Sequence, residues 1–383
     1  MQAENLRGGH DGKGQSSSDI YLELGVDKPI LSQNEKRVLF GMVKFPNLND
    51  RKISERIGLK LSTFTAIKNR LKKSEYFRQV RLPNMEKLDK ELAFIGCIWL
   101  NPGSSTKRAA GIVSENLRGW GDVFYAVSEV EHLLVLGYSD NYSSFKKRFD
   151  ETTRSLLGHG LLDPRSEMDM VILPLDQTQI QTAFDYSGIL EICFEVEYSG
   201  SSKGDGPRTA TGPETKDERA SGMGAIERRV LCGLIEYPDI PDNTLAREVR
   251  TTRQAVARIK KRLEKRGVIR TVKVPELRRL GLEILSYIHI SPMPDASGFA
   301  KGASPATGHS PMFFQCMSST DIVCLSAHRN YREFQEFKSH LLSQYLKRPQ
   351  RNEPTVVLFP IPFLENNRSF DFQDLVTKAV ERP

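Results

Sequence analysis

The chain contains itself twice. Displaced by 192 residues, Glu35–Glu91 falls on Glu227–Glu283 without a gap, and 17 of the 57 positions are identical. The matched pairs include Val38/Val230, Gly41/Gly233, Pro46/Pro238, Asp50/Asp242, Lys68/Lys260, Arg70/Arg262, Arg78/Arg270 and Pro83/Pro275. A second stretch repeats at a displacement of 189: Asn141, Tyr142 and Phe145 match Asn330, Tyr331 and Phe334. Met170–Leu175 then resembles Val356–Ile361. A repeat of this length fixes the architecture, because both copies must solve the same packing problem with the same pattern.

The expected division follows from the repeat. A tail spans 1–30, a first helical module 31–90 and a first sheet domain 91–198. A linker spans 199–224, a second module 225–281 and a second sheet domain 282–383, with an insertion at 293–310. The linker and tail are rich in Gly, Ser and charge and bury too little apolar surface to order themselves. No run approaches ~18 consecutive apolar residues, which excludes a helical membrane span. The N-terminus has no apolar segment of the secretory kind. Five scattered cysteines without a C-x-x-C pair read as free thiols. The cell interior is therefore the expected compartment, and no membrane is an expected partner.

Each copy opens with three helical patterns. In the first, Val38, Leu39, Met42 and Val43 share a face, Asp50 opens a short second helix, and Gly58 supplies the turn. Ser62 is placed to cap a third helix with Phe64, Ile67 and Leu71 inward. The second copy repeats this with Val256, Ile259 and Leu263 inward on its third helix. A Gly stop and an alternating basic strand follow, the run Leu263-Glu-Lys-Arg-Gly-Val-Ile-Arg270 being the most recognisable. Helix, helix, turn, helix and basic ribbon spell a winged helix-turn-helix. Downstream, each copy alternates strand and helix as βαββαβ, a ferredoxin-like order, the first helix of copy two being short or lost within Asp295–Ser310. The predicted class is α+β, two tandem copies of a winged helix-turn-helix plus a ferredoxin-like domain.

This combination resembles the Lrp/AsnC (feast/famine) transcription regulators of archaea and bacteria. The resemblance implies a double-stranded DNA partner, a sheet domain that dimerises, and a small-molecule effector on the ferredoxin-like domains. A covalently duplicated chain would be its own pseudo-dimer, and a further homodimer stays open.

Charge falls where that reading needs it. Of the +7 total, Leu31–Lys90 holds +9 and Ala225–Leu280 holds +8, which leaves −10 for the rest. On the outward faces of the third helices, Thr63, Ala66 and Asn69 in copy one and Arg253, Gln254 and Arg258 in copy two are candidate base readers. Arg pairs with guanine, and Asn or Gln with adenine. Lys68, Arg70, Lys72, Lys73, Lys260, Lys261, Arg262 and Lys265 are candidate phosphate contacts, with Arg78, Arg81, Arg270 and Lys273 expected on the wings.

No phosphate loop, dinucleotide fingerprint or H-E-x-x-H occurs, so no catalytic residue, metal or cofactor is assigned, and the chain is expected not to be an enzyme. The expectation is a cytoplasmic, nucleoid-associated, archaeal-type regulator. Two alternatives stay open: a siroheme-decarboxylase-like tetrapyrrole enzyme on the same two-part fold, and a winged-helix protein–protein adaptor.

Overall fold

The computed structural model describes residues 31–101, 106–162, 168–195, 222–293, 310–345 and 350–381. The expected tail, nearly all of the linker and the insertion lie outside these residues, as does the expected loss of a helix in copy two. Copy one folds as α1 (Gln33–Lys44), α2 (Asp50–Arg56), α3 (Leu61–Lys73), β1 (Phe77–Pro83), β2 (Leu92–Trp99), α4 (Thr106–Gly119), β3 (Val123–Ser128), β4 (His132–Ser139), α5 (Tyr142–Gly158), β5 (Met168–Pro174), β6 (Gln179–Ala183) and α6 (Ser187–Phe194). Copy two folds as α7 (Ala225–Glu236), α8 (Asp242–Glu248), α9 (Arg253–Lys265), β7 (Ile269–Pro275), β8 (Ile284–Ile290), β9 (Met312–Met317), β10 (Ile322–His328), α10 (Tyr331–Tyr345), β11 (Thr355–Pro360), β12 (Glu365–Ser369) and α11 (Gln373–Val380).

The helical ends follow local chemistry. Ser32 and Glu35 form a reciprocal capping box at α1. Asn49, not Asp50, caps α2 by accepting from the Lys52 N–H at 2.9 Å. Ser62 caps nothing, because α3 begins at Leu61 and its N-cap is Lys60. Gly41 and Gly233 are kept in both copies for contact: a Cβ at Gly41 would lie 2.8 Å from Ile57, and one at Gly233 would lie 2.5 Å from Leu245. The first helix of each copy thus rests directly on the second.

Each four-stranded ferredoxin-like sheet gains a fifth strand from the other copy. The orders are β5-β2-β4-β3-β12 and β11-β8-β10-β9-β6, so β6 leaves copy one to pair with β9, and β12 leaves copy two to pair with β3. Just after each exchanged strand an aromatic residue adopts the left-handed region, Phe184 and Phe370 both at φ 56°. The next N–H donates across the copies, Asp185 to the Phe313 carbonyl at 3.0 Å and Asp371 to the Phe124 carbonyl at 2.9 Å. Phe184 and Phe370 meet edge-on at 4.8 Å, while Tyr186 stacks on Phe313 and Phe372 on Phe124.

One face of the first sheet buries Phe94, Trp120 and Phe145 under α4 and α5, and α10 covers the corresponding face of the second. Their other faces share one core with the three-helix units, running through Ile95, Leu136, Leu285, Tyr287 and Phe314. At its edge His289 on β8 is clamped between Asp169 of copy one and Asp321 of its own copy, at 2.9 and 3.0 Å. All five cysteines are free, as expected. No helix of the described residues is long and apolar enough to cross a membrane.

Candidate functional site

The two basic strands do not form separate wings. β1 and β7 pair with each other, Phe77 opposite Pro275 and Val80 opposite Val272, so a two-stranded ribbon lies between the three-helix units. This changes the surroundings of the four cations expected on exposed wings. Arg81 is 5% exposed, pairs with Glu264 at 2.7 Å and donates to the Thr271 hydroxyl. Lys273 donates to the Gln79 side-chain oxygen, and burial, with Lys68, Arg81 and Lys72 nearby, holds its pKa down to about 8 against the pull of Asp239. Arg270 donates to the Ala183 carbonyl, and Arg78 to Ser369, each on the strand exchanged from the other copy. A strand that must satisfy a partner strand has no freedom to act as a flap. These four side chains make contacts between the copies instead of standing free on separate wings.

The third helices present what the sequence leads one to expect. Thr63, Ala66 and Asn69 on α3 are exposed, as are Arg253, Gln254 and Arg258 on α9. Thr252 caps α9, accepting from the Ala255 N–H at 3.1 Å, which holds Arg253 and Gln254 at the start of that helix.

The flanking cations divide into two groups. Lys68 pairs with Asp50 at 2.8 Å and Lys260 with the equivalent Asp242 at 3.8 Å. Arg70 pairs with Glu35 at 2.9 Å and Arg262 with the equivalent Glu227 at 3.0 Å. All eight residues are identical between the copies, so their repetition reflects ion pairs that join the third helix to the first two. Lys72 pairs across the copies with Asp239 at 2.8 Å. Lys73, Lys261 and Lys265 are exposed and make no ion pair among the described residues. Only this second group is immediately available to a phosphate.

A site that no sequence motif marks lies beneath the ribbon. A cavity of about 750 Å³ is walled by the turn after α1 (Phe45 to Leu48), by β7 and by both exchanged segments. Leu82, Ile180, Phe184, Phe314 and Phe372 give it an apolar interior, and Arg270 reaches it from β7. No histidine lines it. Among the described residues no cluster of His, Cys, Asp and Glu is arranged to hold a metal ion.

The class these features define is a strand-exchanged tandem of helix-turn-helix and ferredoxin-like units. No family model and no curated protein matches the sequence. Among solved structures, a siroheme decarboxylase, NirDL, in complex with an iron-uroporphyrin III analogue matches 91% of this chain and 98% of its own, at 10% identity and TM-score 0.48. A transcriptional regulator of Neisseria meningitidis in complex with L-Met matches 37% of this chain and 89% of its own, at 18% identity and TM-score 0.31. An AsnC family regulator of Agrobacterium tumefaciens matches 38% and 98%, at 14% identity and TM-score 0.29. At these identities no residue's role transfers to this chain. The expectation that the chain is not an enzyme is nevertheless corrected, since the structures that match along nearly its whole length are of a decarboxylase.

Proposed function

We propose that the chain binds duplex DNA as a covalent pseudo-dimer, with α3 and α9 as its two reading helices, and acts as a transcription regulator at the nucleoid. The observation that carries this reading is the pair of bare outward faces: Thr63, Ala66 and Asn69 on one, Arg253, Gln254 and Arg258 on the other, all exposed. Arg258 and Arg253 carry the fork that suits guanine, whereas Asn69 suits adenine, so the preferred site is asymmetric. Lys73, Lys261 and Lys265 supply sequence-independent grip.

Fluorescence anisotropy on a labelled duplex of selected sequence tests this reading. With about five cations engaged, affinity falls roughly 500-fold between 50 and 200 mM salt. Affinity that ignores salt, or no binding in dilute buffer, removes the reading.

The cavity favours a second reading, a tetrapyrrole enzyme. About 750 Å³ accommodates a molecule of that size, and Arg270 offers a cation for a peripheral carboxylate. Purified protein titrated with iron-uroporphyrin III then shifts its Soret band at one equivalent. An unshifted band removes this second reading.

A further inference from the structure

We propose that the cavity is a binding site for an amphipathic organic anion, an apolar body carrying a carboxylate, and that the chain has one such site rather than two. The inference does not depend on the DNA-binding reading; it shares the cavity and Arg270 with the tetrapyrrole reading but needs no tetrapyrrole, so dodecanoate and iron-uroporphyrin III test the two apart.

The first support is an incompletely used cation. Arg270 is half-buried, and burial lowers its pKa against the opposing pull of Asp185 and Tyr138. A guanidinium has five N–H donors. The hydrogen bond of Arg270 within the described residues goes to the Ala183 carbonyl, and it makes no ion pair at contact distance. A desolvated guanidinium without a carboxylate is costly, and its planar fork fits a carboxylate in two-point fashion. The acids that share the cavity are otherwise placed. Glu264 pairs with Arg81, the Asp185 carboxylate accepts from the Ser187 N–H, and Glu86 is exposed.

The second support is the contrast between the copies. Displacement by 192 carries Lys44, Asn47 and Arg56 at this cavity onto Glu236, Asp239 and Glu248. Those three acids border the equivalent depression beside β1, which is smaller, about 460 Å³. There Arg78, the counterpart of Arg270, is exposed, is held by Ser369 and lies over the Phe370 ring at 5.3 Å. One backbone plan thus carries a deep pocket in one copy, rimmed by Arg56 over the Phe45 ring and by Lys44, which pairs with Glu191 at 3.2 Å, and a shallow pocket with three acids in the other. An anion enters the first and is repelled by the second.

The test uses the full chain and 8-anilinonaphthalene-1-sulfonate as a fluorescent reporter, displaced by dodecanoate, by dodecan-1-ol or by iron-uroporphyrin III. The expected result is one dye per chain, displaced by dodecanoate at about tenfold lower concentration than by the alcohol. Arg270→Met abolishes that preference and Arg270→Lys retains most of it. Should the buried substitutions unfold the chain, Arg56→Glu at the rim, which copies Glu248 of the second site, weakens dodecanoate alone. Displacement by iron-uroporphyrin III as well identifies a tetrapyrrole as the source of the anion, and displacement by dodecanoate alone identifies a simpler acid. Two equal dye sites, equal potency of acid and alcohol, or a preference unchanged in every variant overturns the proposal.

Discussion

The three-helix unit of copy one and that of copy two keep the same skeleton and differ on their outward faces and at the cavity rim. The retained identities are packing and ion-pair residues: Gly41/Gly233 at the helix contact, Glu35/Glu227 with Arg70/Arg262, and Asp50/Asp242 with Lys68/Lys260. The divergent positions are the outward faces, where Ala66 stands opposite Arg258, and the cavity rim, where Arg56 stands opposite Glu248. Duplication within one chain allows this division, because each copy can change its surface while the partner holds the shared core.

The comparison breaks most visibly in the core. Phe145→Ala and Phe334→Ala remove equivalent buried rings, and each is expected to cost about 3–5 kcal/mol in urea unfolding. The two costs agree, and unfolding stays a single transition because each sheet borrows a strand from the other copy. Two separate transitions would show that the copies fold independently in spite of the exchange.

The proposed reading faces come next. Arg253→Glu/Arg258→Glu is expected to weaken binding to a preferred duplex about 100-fold, and random DNA by less. Thr63→Glu/Asn69→Glu on the copy-one face is expected to cost about a tenth as much by the same anisotropy measurement, since those side chains are shorter and uncharged. Equal losses on both duplexes reduce the two arginines to phosphate contacts.

A smaller asymmetry concerns pH. His289 sits where copy one has Cys97. It faces Asp169, Asp321 and the Ser291 hydroxyl, with Tyr287 bonded to Asp169, and Thr320 and Arg351 beside Asp321. Burial opposes its charge, but the two carboxylates prevail and raise its pKa to about 9. A raised imidazole pKa contributes stability fully below about 6.5, and that stability is lost as pH rises through 9. The same contacts lower the Asp321 pKa despite burial, so its share is present above the ordinary aspartate value and lost as pH falls through the lowered one. The wild-type chain is therefore expected to lose on the order of 2–3 kcal/mol between pH 6.5 and 9.5 relative to His289→Gln, measured by urea unfolding at each pH. Parallel curves for the two proteins would remove the assignment.

The smallest effect restores the symmetry. Asn141 accepts from the Ser144 N–H and Asn330 from the Glu333 N–H, both at 2.9 Å. Each Asn→Ala substitution is expected to cost about 1 kcal/mol, seen as equal shifts in thermal midpoint. Unequal shifts would mean that α5 and α10 are not supported alike.

Much of this was legible in the residues. The Asn-Tyr-x-x-Phe repeat announces a helix cap and a core ring, and Phe145 and Phe334 are indeed buried, while Tyr142 and Tyr331 stay exposed. The exchange of strands also left a trace in the sequence. Phe184-Asp-Tyr186 and Phe370-Asp-Phe372 match at a displacement of 186, a change of spacing that hides the third segment of the repeat. The cavity left no such trace, because its walls come from Phe45, Leu82, Phe184, Arg270 and Phe314, which are distant in the chain.

Periodicity and duplication alone established the element types, the two units and the faces that turn outward, since these depend on neighbours three, four or two residues away. Tertiary structure decided which strand each basic strand pairs with, and so whether Arg81 and Lys273 meet solvent or protein. It also decided which copy keeps an open pocket. Hydrogen-bond partners across a ribbon and the walls of a cavity are set by the approach of distant segments, and local sequence does not encode that approach.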